Sequence, residues 1–311
     1  MKAQHRKQEI QALRAKLDRI SRRTAEETAR RRQVAEAVRK RPAADGGDEI
    51  RYRRHLPRTG GRSVVRAHDA LLGQAVILEE AVASGQVVET AQGACFEVEQ
   101  PVDELEGAET LSARFKERLE RGEAAWCDNL RLVRPNGTAD VGQLVFMDIE
   151  TAGLSSSPLF LIGAMSWDGR GFTVRQFFAR NYAEEAAVIR RFVETSADRE
   201  VLITFNGKSF DVPFVRTRAV ATGVPYDLDP AHLDLLHESR RIWKDVLPNC
   251  KLQTLETHVC GRSRHGDIPG RDIPQAYHDY VRTNDAWQMV EALRHNMLDL
   301  VTLADIMLRL P

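Results

Sequence analysis

The sequence has only four cysteines among its 311 residues, and no two of them form a C-x-x-C pair. Scattered cysteines argue against a disulfide framework and a structural zinc site, and they are typical of reduced thiols in a cytoplasm. No run of about 18 apolar residues is present, which excludes a membrane-spanning helix. The first residues lack the apolar segment of a secretory signal peptide. We therefore expect a cytoplasmic protein with no membrane partner.

The chain also lacks net charge, with 45 Lys and Arg residues against 45 Asp and Glu residues. A protein that is basic throughout is thereby excluded, but the charge is unevenly placed. Residues 1–42 contain fourteen Lys or Arg residues against five Asp or Glu residues, so the remainder carries a matching negative excess. We predict a basic helical arm over 1–42 that contacts phosphate backbones, contacts a partner helix, or remains a solvated helix.

The remaining chain divides into three predicted parts. A run rich in Ala, Gly and Asp after Pro42 predicts a linker over residues 43–60. Short alternating apolar patterns and one helical pattern predict a small α+β lobe over 61–140. From 141 to 311 the patterns predict three strands as an antiparallel meander, followed by alternating helices and strands. That order is typical of an α/β domain with a mixed sheet flanked by helices.

Two carboxylates stand at the end of the first strand of this meander. Asp148 and Glu150 are one residue apart, so their side chains should leave the strand on the same face. Two carboxylates on one face repel each other unless a cation lies between them. The pattern predicts either a metal site or a polar strand end that runs into a solvated turn at Ala152-Gly153.

A third carboxylate follows a short apolar strand that ends at Phe205. Asn206-Gly207 is a turn signal, and Asp211 enters the first turn of the next helix. An acid there complements the helix dipole, or else it faces a metal at the carboxyl end of a parallel strand.

A histidine and a further carboxylate lie in a long predicted helix close to the last residues of the sequence. His295 and Asp299 are four residues apart and therefore share a helix face, beside a stripe of apolar residues. An aspartate so close to apolar side chains needs a partner or a metal ion.

Together these segments resemble the three exonuclease motifs of the DEDD superfamily, which includes polymerase proofreading domains and several ribonucleases. The sequence is more closely similar to the YprB-type ribonuclease-H-like domain over about residues 144–309. The segments that carry this similarity are Phe146–Leu154, Thr204–Pro213, His232–His237, Cys250–Glu256, Asp267–Gly270 and His295–Asp299. The resemblance implies a ribonuclease-H-like sheet and a metal-dependent 3′–5′ exonuclease that cuts single-stranded DNA or RNA.

The resemblance also implies a cofactor of two Mg²⁺ or Mn²⁺ ions. Asp148 would bridge them, Glu150 and Asp299 would hold the ion on the side of the attacking water, and Asp211 would hold the other. Four carboxylates balance the charge of two divalent cations, and oxygen ligands suit Mg²⁺ or Mn²⁺ rather than zinc.

Further residues receive roles from the same resemblance. His295 would orient or deprotonate the water, and Asn206 and Phe210 would steady the terminal nucleotide or the turn. Lys208 is a candidate phosphate contact, with solvated charge as the alternative. DEDD exonucleases with a catalytic His usually space it His-x-x-x-x-Asp, whereas here His295 stands at the spacing of a Tyr. On an ideal helix the two spacings differ by about 100°.

Other functions remain open on the same residues. The domain would keep the fold but bind nucleic acid or a repair partner without catalysis, or it would act as a structure-selective endonuclease. Asp234 ends a short strand near the predicted site, where it either approaches the site or fixes local structure.

Overall fold

This computed structural model describes residues 75–105, 108–121, 141–154, 156–264 and 266–310. The predicted arm over 1–42 and the linker over 43–60 lie outside the described residues. The described strands form one seven-stranded sheet in the order β1-β2-β5-β4-β3-β6-β7. In chain order they are β1 Gly85–Thr90, β2 Gly93–Pro101, β3 Leu144–Thr151, β4 Leu159–Trp167, β5 Phe172–Phe178, β6 Val201–Thr204 and β7 Ala231–Asp234.

The sheet is mixed, as the sequence predicts. β3, β4 and β5 are antiparallel neighbours, whereas β6 pairs in parallel with both β3 and β7. The hairpin between β4 and β5 turns at Asp168, whose carboxylate accepts the backbone N–H groups of Arg170 and Gly171. Gly169 has φ +99° in this turn, a conformation that favours glycine. The meander and the parallel strands of the expected α/β fold are therefore confirmed.

Helices cover both faces of the sheet. In chain order they are α1 Leu78–Ala81, α2 Leu111–Glu120, α3 Glu185–Ser196, α4 Asp211–Thr222, α5 Leu235–Trp243, α6 Leu252–Leu255, α7 Ile273–Thr283 and α8 Trp287–Met307, and Glu256–Cys260 is a short π-helical turn. In the parts of the chain that the structure describes, no helix combines the length and apolar character needed to cross a membrane.

The two faces of β3 belong to different hydrophobic cores because successive side chains alternate. Met147 packs in the core that includes α3 and α7, and Phe146 packs in the core that includes the second half of α8. Asp148 and Glu150 lie two and four positions after Phe146, so their side chains are on the same face of the strand as its ring. They therefore leave the strand on the side of the sheet that α8 covers.

The predicted lobe over 61–140 contributes directly to this sheet. β2 pairs with β5 along six residue positions, so β1 and β2 extend the meander. From α2, Phe115 packs edge-on against Phe146 and Phe172, with ring centroids 6.1 and 5.0 Å apart. The sheet thus continues across the expected boundary at residue 141, while the division of the chain into domains stays a prediction.

Candidate active site

Asp148 and Glu150 lie on one face of β3, as their spacing predicts, and both side chains are partly buried. The register between β3 and β4 shifts between Glu150 and Thr151, which marks a β-bulge. Bulges re-aim side chains and are common next to active sites. The strand ends at Thr151, whose hydroxyl donates to the carbonyl of Gly153 in the turn that follows.

Asp211 reaches the same place from the neighbouring strand. β6 runs parallel to β3, so the carboxyl ends of both strands lie at the same edge of the sheet. Asn206 has φ +65°, which Asn tolerates better than most residues, and a Cβ on Gly207 would lie 2.3 Å from Thr204 Oγ1. This tight turn places Asp211 at the start of α4, where it is 5% exposed.

Asp234 holds that turn in place. Its carboxylate accepts the backbone N–H groups of Asn206 at 2.8 Å and Lys208 at 3.1 Å, and that of Leu236 at 3.0 Å. Asp234 thus links the ends of β6 and β7. The sequence leaves open whether Asp234 approaches the site or fixes local structure, and these contacts show that it fixes local structure.

Asn296 on α8 has no predicted role in the sequence analysis, and in the structure it contacts Asp148 directly. Its Nδ2 donates to Asp148 Oδ2 at 2.9 Å, and its Oδ1 accepts from Gln176 Nε2 at 2.8 Å. The amide is fully buried, and the Gln176 bond orients it so that the donor faces the carboxylate. Asp148, Gly163 and Gln176 are register partners across β3, β4 and β5, so the three strands place this contact together.

Gly163 is required for that approach of α8 to the sheet. A Cβ there would lie 2.1 Å from Asn296 Oδ1. We expect Gly163→Ala to lower the free energy of unfolding by about 2–3 kcal/mol, since an added methyl in a packed interior forces neighbours to shift. Chemical denaturation measures the change. Adding Asn296→Ala removes the obstructing amide, so the double variant should lose less stability than the sum of the single losses. Additive losses would contradict this account of Gly163.

The carboxylates raise one another's pKa, which shows that their charges converge. Burial, with the charges of Asp299, Glu150 and Asp211, raises the pKa of Asp148 well above its usual range. Burial is also the main reason that the pKa of Glu150 rises to about 8, although the charge of His295 opposes the rise. Burial raises the pKa of Asp211 to about 7 against hydrogen bonds from backbone N–H groups, including that of Ile149. Such a cluster favours protons or a cation.

The pH dependence of stability follows from these shifts. A carboxyl whose pKa is about 4.3 unfolded and about 8 folded binds more protons in the folded state between those values, so stability falls as pH rises through that window. Glu150→Gln removes this titration. We expect the melting temperature of Glu150→Gln, minus that of the wild-type protein, to increase from pH 5.5 to pH 8.5 without metal. A difference that is constant across this range would contradict the raised pKa of Glu150.

Arg264 contacts the cluster at Asp299 and was also missed by the sequence analysis. Its guanidinium contacts Glu256 at 2.6 Å, Asp267 at 3.3 Å and Asp299, and it is 6% exposed. Burial would lower the pKa of Arg264, but the charges of Asp299, Glu256 and Asp267 outweigh it and raise the pKa. Arg264 therefore supplies a fixed positive charge beside Asp299.

His295 and Asp299 share a helix face, as their spacing predicts, with His295 Nε2 3.5 Å from Asp299 Oδ2. The other ring nitrogen, Nδ1, lies 2.9 Å from Asp267 Oδ2. Burial would lower the pKa of His295, but the hydrogen bond to Asp267 and the charges of Asp299 and Glu150 raise it.

The predicted substrate residues Asn206, Lys208 and Phe210 are exposed on the turn between β6 and α4. Lys208 is exposed, and Phe210 is 37% exposed with its ring 5.5 Å from that of Phe214. Both belong to the turn that Asp234 holds. Of the other histidines, His278 bonds the carbonyl of Ala152 at 2.9 Å and fixes the loop after β3.

The comparisons with known proteins agree with this architecture. A family model described as RNase_H superfamily matches residues 145–310. The chain belongs to the RNase_H superfamily. The match covers β3 to the last residues after α8, and it includes every carboxylate of the cluster.

Two proteins are similar to this member of the RNase_H superfamily over about half of the chain. "Uncharacterized protein YprB" from Bacillus subtilis is 32% identical over 169 residues, which are 52% of this chain and 40% of YprB. The chain thus spans less than half of the length of that relative. A solved family B DNA polymerase from the archaeon Pyrobaculum calidifontis aligns with a TM-score of 0.44 and 21% identity. That alignment covers 52% of this chain and 24% of the polymerase.

A divalent cation is implied by the RNase_H superfamily, and the chemistry of the donors suits it. Asp148, Glu150 and Asp211 offer only oxygen atoms, and their raised pKa values are those of a cluster that favours either protons or a cation. Among the described residues, no group of three or more His, Cys, Asp or Glu side chains is already arranged to hold a metal ion. Asn296 donates to the carboxylate of Asp148, and Arg264 donates to that of Asp299.

Proposed function

We propose that the protein is a metal-dependent nuclease that hydrolyses phosphodiester bonds at this carboxylate cluster. The observation that carries the proposal is the convergence of Asp148, Glu150 and Asp211 from two parallel strand ends, with Asp299 close enough to raise the pKa of each. Four carboxylates at one edge of a sheet fit a two-metal-ion mechanism better than a purely structural role.

The four carboxylates would hold two Mg²⁺ or Mn²⁺ ions, which would neutralise charge on the phosphate and activate a water molecule. His295 is the candidate base. Its Nε2 points toward Asp299 and the cluster, whereas its Nδ1 is engaged by Asp267. An imidazole whose pKa is raised accepts a proton readily near neutral pH, which suits proton removal from water.

Substrate binding would use the turn that follows β6. Lys208 and Phe210 are exposed on that turn, within four residues of Asp211. A lysine can contact a phosphate, and an exposed aromatic ring can stack on a base of a single strand. Single-stranded DNA or RNA is therefore the proposed substrate class, with a 3′ end in the site.

The test compares oligonucleotides that differ only at their ends. With Mn²⁺ or Mg²⁺, we expect 5′-labelled single-stranded DNA or RNA to shorten stepwise from the 3′ end. A blocked 3′ end should stop the reaction, a blocked 5′ end should not, and a circular strand should be resistant. Cutting of the circle would show an endonuclease. Binding without hydrolysis of any substrate would contradict the enzyme and favour a nucleic-acid-binding module.

A further inference from the structure

Asp267, His295, Asp299 and Arg264 form a closed ring of contacts. Asp267 Oδ2 lies 2.9 Å from His295 Nδ1, and His295 Nε2 lies 3.5 Å from Asp299 Oδ2. Arg264 closes the ring, with Nη2 on Asp299 and Nη1 3.3 Å from Asp267 Oδ2. Asp267 belongs to neither β3 nor α8, so the long helix alone does not explain the pose of the imidazole.

We propose that Asp267 is a positioning residue for His295: it holds the Nδ1–H, so that the lone pair of Nε2 faces the carboxylate cluster. The inference rests on the proposed function, because it assigns the proton acceptor of that site. A neutral imidazole carries one N–H, and an ionised carboxylate can only accept, so the 2.9 Å contact with Asp267 favours the proton on Nδ1 over the 3.5 Å contact of Nε2 with Asp299. The other nitrogen is then free to take a proton from water.

Asp267 is suited to remain ionised in this place. Burial would raise its pKa, but the hydrogen bond and charge of His295, together with Arg264, lower it below the usual range. The side chains of Asp267 and His295 are 9% and 8% exposed, so water competes weakly for this hydrogen bond. A short, buried, charge-assisted bond orients a ring more firmly than a solvated one.

The segment around Asp267 also lies beside the reactive nitrogen. A Cβ built on Gly270 would be 3.9 Å from His295 Nε2, an ordinary van der Waals distance. Other charged groups that face the ring are Asp299 on α8 and Glu150 on β3. All of them are carboxylates, so they favour an imidazolium. Between the two neutral forms, Asp299 Oδ2 faces Nε2 at 3.5 Å, whereas Asp267 Oδ2 faces Nδ1 at 2.9 Å, so the shorter contact favours a proton on Nδ1.

The contact between Asp267 and His295 also bears on the His-x-x-x-Asp spacing of His295 and Asp299. His295 precedes Asp299 by four positions instead of five, so its ring starts from a different direction on α8. A partner outside the helix is what turns such a ring toward the cluster. In the sequence, Asp267 stands out only as part of the segment Asp267–Gly270 and has no predicted role.

Nuclear magnetic resonance of the full chain with ¹⁵N-labelled histidine tests the proposal without substrate. The signals of His295 are assigned by their absence in His295→Gln. Above the titration midpoint read from the same spectra, we expect the wild-type ring to carry its proton on Nδ1. Asp267→Asn should lose that preference, because its amide can donate to Nδ1 as well as accept. Asp272→Asn, in the same segment with its side chain 53% exposed, should keep the wild-type pattern.

Kinetics supply the second readout. Asp267→Asn should lower kcat about 10–100-fold, the range typical of hydrogen-bond partners that orient the residues of a metal site, with KM changed less than about threefold. A wild-type ring protonated on Nε2, or an unchanged tautomer in Asp267→Asn, would overturn the proposal. The wild-type spectrum decides it even if the variant fails to fold. Absence of any nuclease activity would refute the proposed function, whereas the tautomer would still report on the pairing.

Discussion

Asp148→Asn is expected to abolish hydrolysis and to make the metal-free protein more stable. Asparagine keeps the volume but removes a charge that burial and three other carboxylates oppose. Stability therefore increases when the charge is removed, and the melting temperature should rise by about 2–4 °C for each kcal/mol recovered. The rate should fall roughly 10³-fold or more, since Asp148 would help to hold the metal ions, whose charge would stabilise the transition state by several kcal/mol.

The two effects are measured on one preparation, by thermal unfolding in EDTA at pH 8 and by cleavage in Mn²⁺. Asp198→Asn is the matched control, because Asp198 is exposed and lies outside the cluster. Its melting temperature and rate should equal those of the wild-type protein. An Asp148→Asn variant that is both active and less stable would show that Asp148 is an ordinary structural residue.

Arg264→Gln should have the largest effect on stability. The change leaves Glu256, Asp267 and Asp299 without the cation that they share, and breaking a buried ion pair costs about 3–5 kcal/mol. Because Asp299 is a proposed metal ligand, added Mn²⁺ should restore part of this loss. Thermal unfolding with and without Mn²⁺ measures both effects.

Arg262→Gln provides the comparison for Arg264. Arg262 is equally buried, at 8% of its side-chain area, and pairs with Asp305 at 3.1 Å and with Glu256 at 3.9 Å. Neither partner is a proposed metal ligand. Arg262→Gln should therefore destabilise the protein, and Mn²⁺ should raise its melting temperature by no more than it raises that of the wild-type protein. Equal restoration of both variants would indicate a general effect of the ion and contradict the special position of Arg264.

The sequence predicts those features that depend on neighbours close along the chain. A continuous apolar run predicts a strand over Leu159–Trp167, and an alternating pattern predicts one over Phe172–Phe178; these are the observed bounds of β4 and β5. The helical spacing of His295 and Asp299 predicts their contact. Asp148, Glu150 and Asp211 also converge as expected, because the parallel pairing of β3 and β6 aligns their carboxyl ends. The roles of these residues and of Lys208 in catalysis stay predictions.

Contacts between distant parts of the chain could not be predicted in this way. Asn296 meets Asp148 across 148 positions, and its orientation depends on Gln176, which is 120 positions away. Arg264 reaches Asp299 from a segment with no regular periodicity. Residues of these types are common on protein surfaces, so only the fold shows that they are buried at the site. The similar segment Asp267–Gly270 was the one signal that pointed to this region.

The most direct test of the account is the rate of nucleotide release from a labelled single strand, with DNA and RNA measured separately. The wild-type protein and Asp148→Asn are compared at equal concentration, each in Mn²⁺ and in EDTA. We predict release by the wild-type protein in Mn²⁺ alone, and a rate for Asp148→Asn that is at least about 10³-fold lower. Release that continues in EDTA or in Asp148→Asn, or no release from either polymer by the wild-type protein, would contradict a metal-dependent nuclease at this carboxylate cluster.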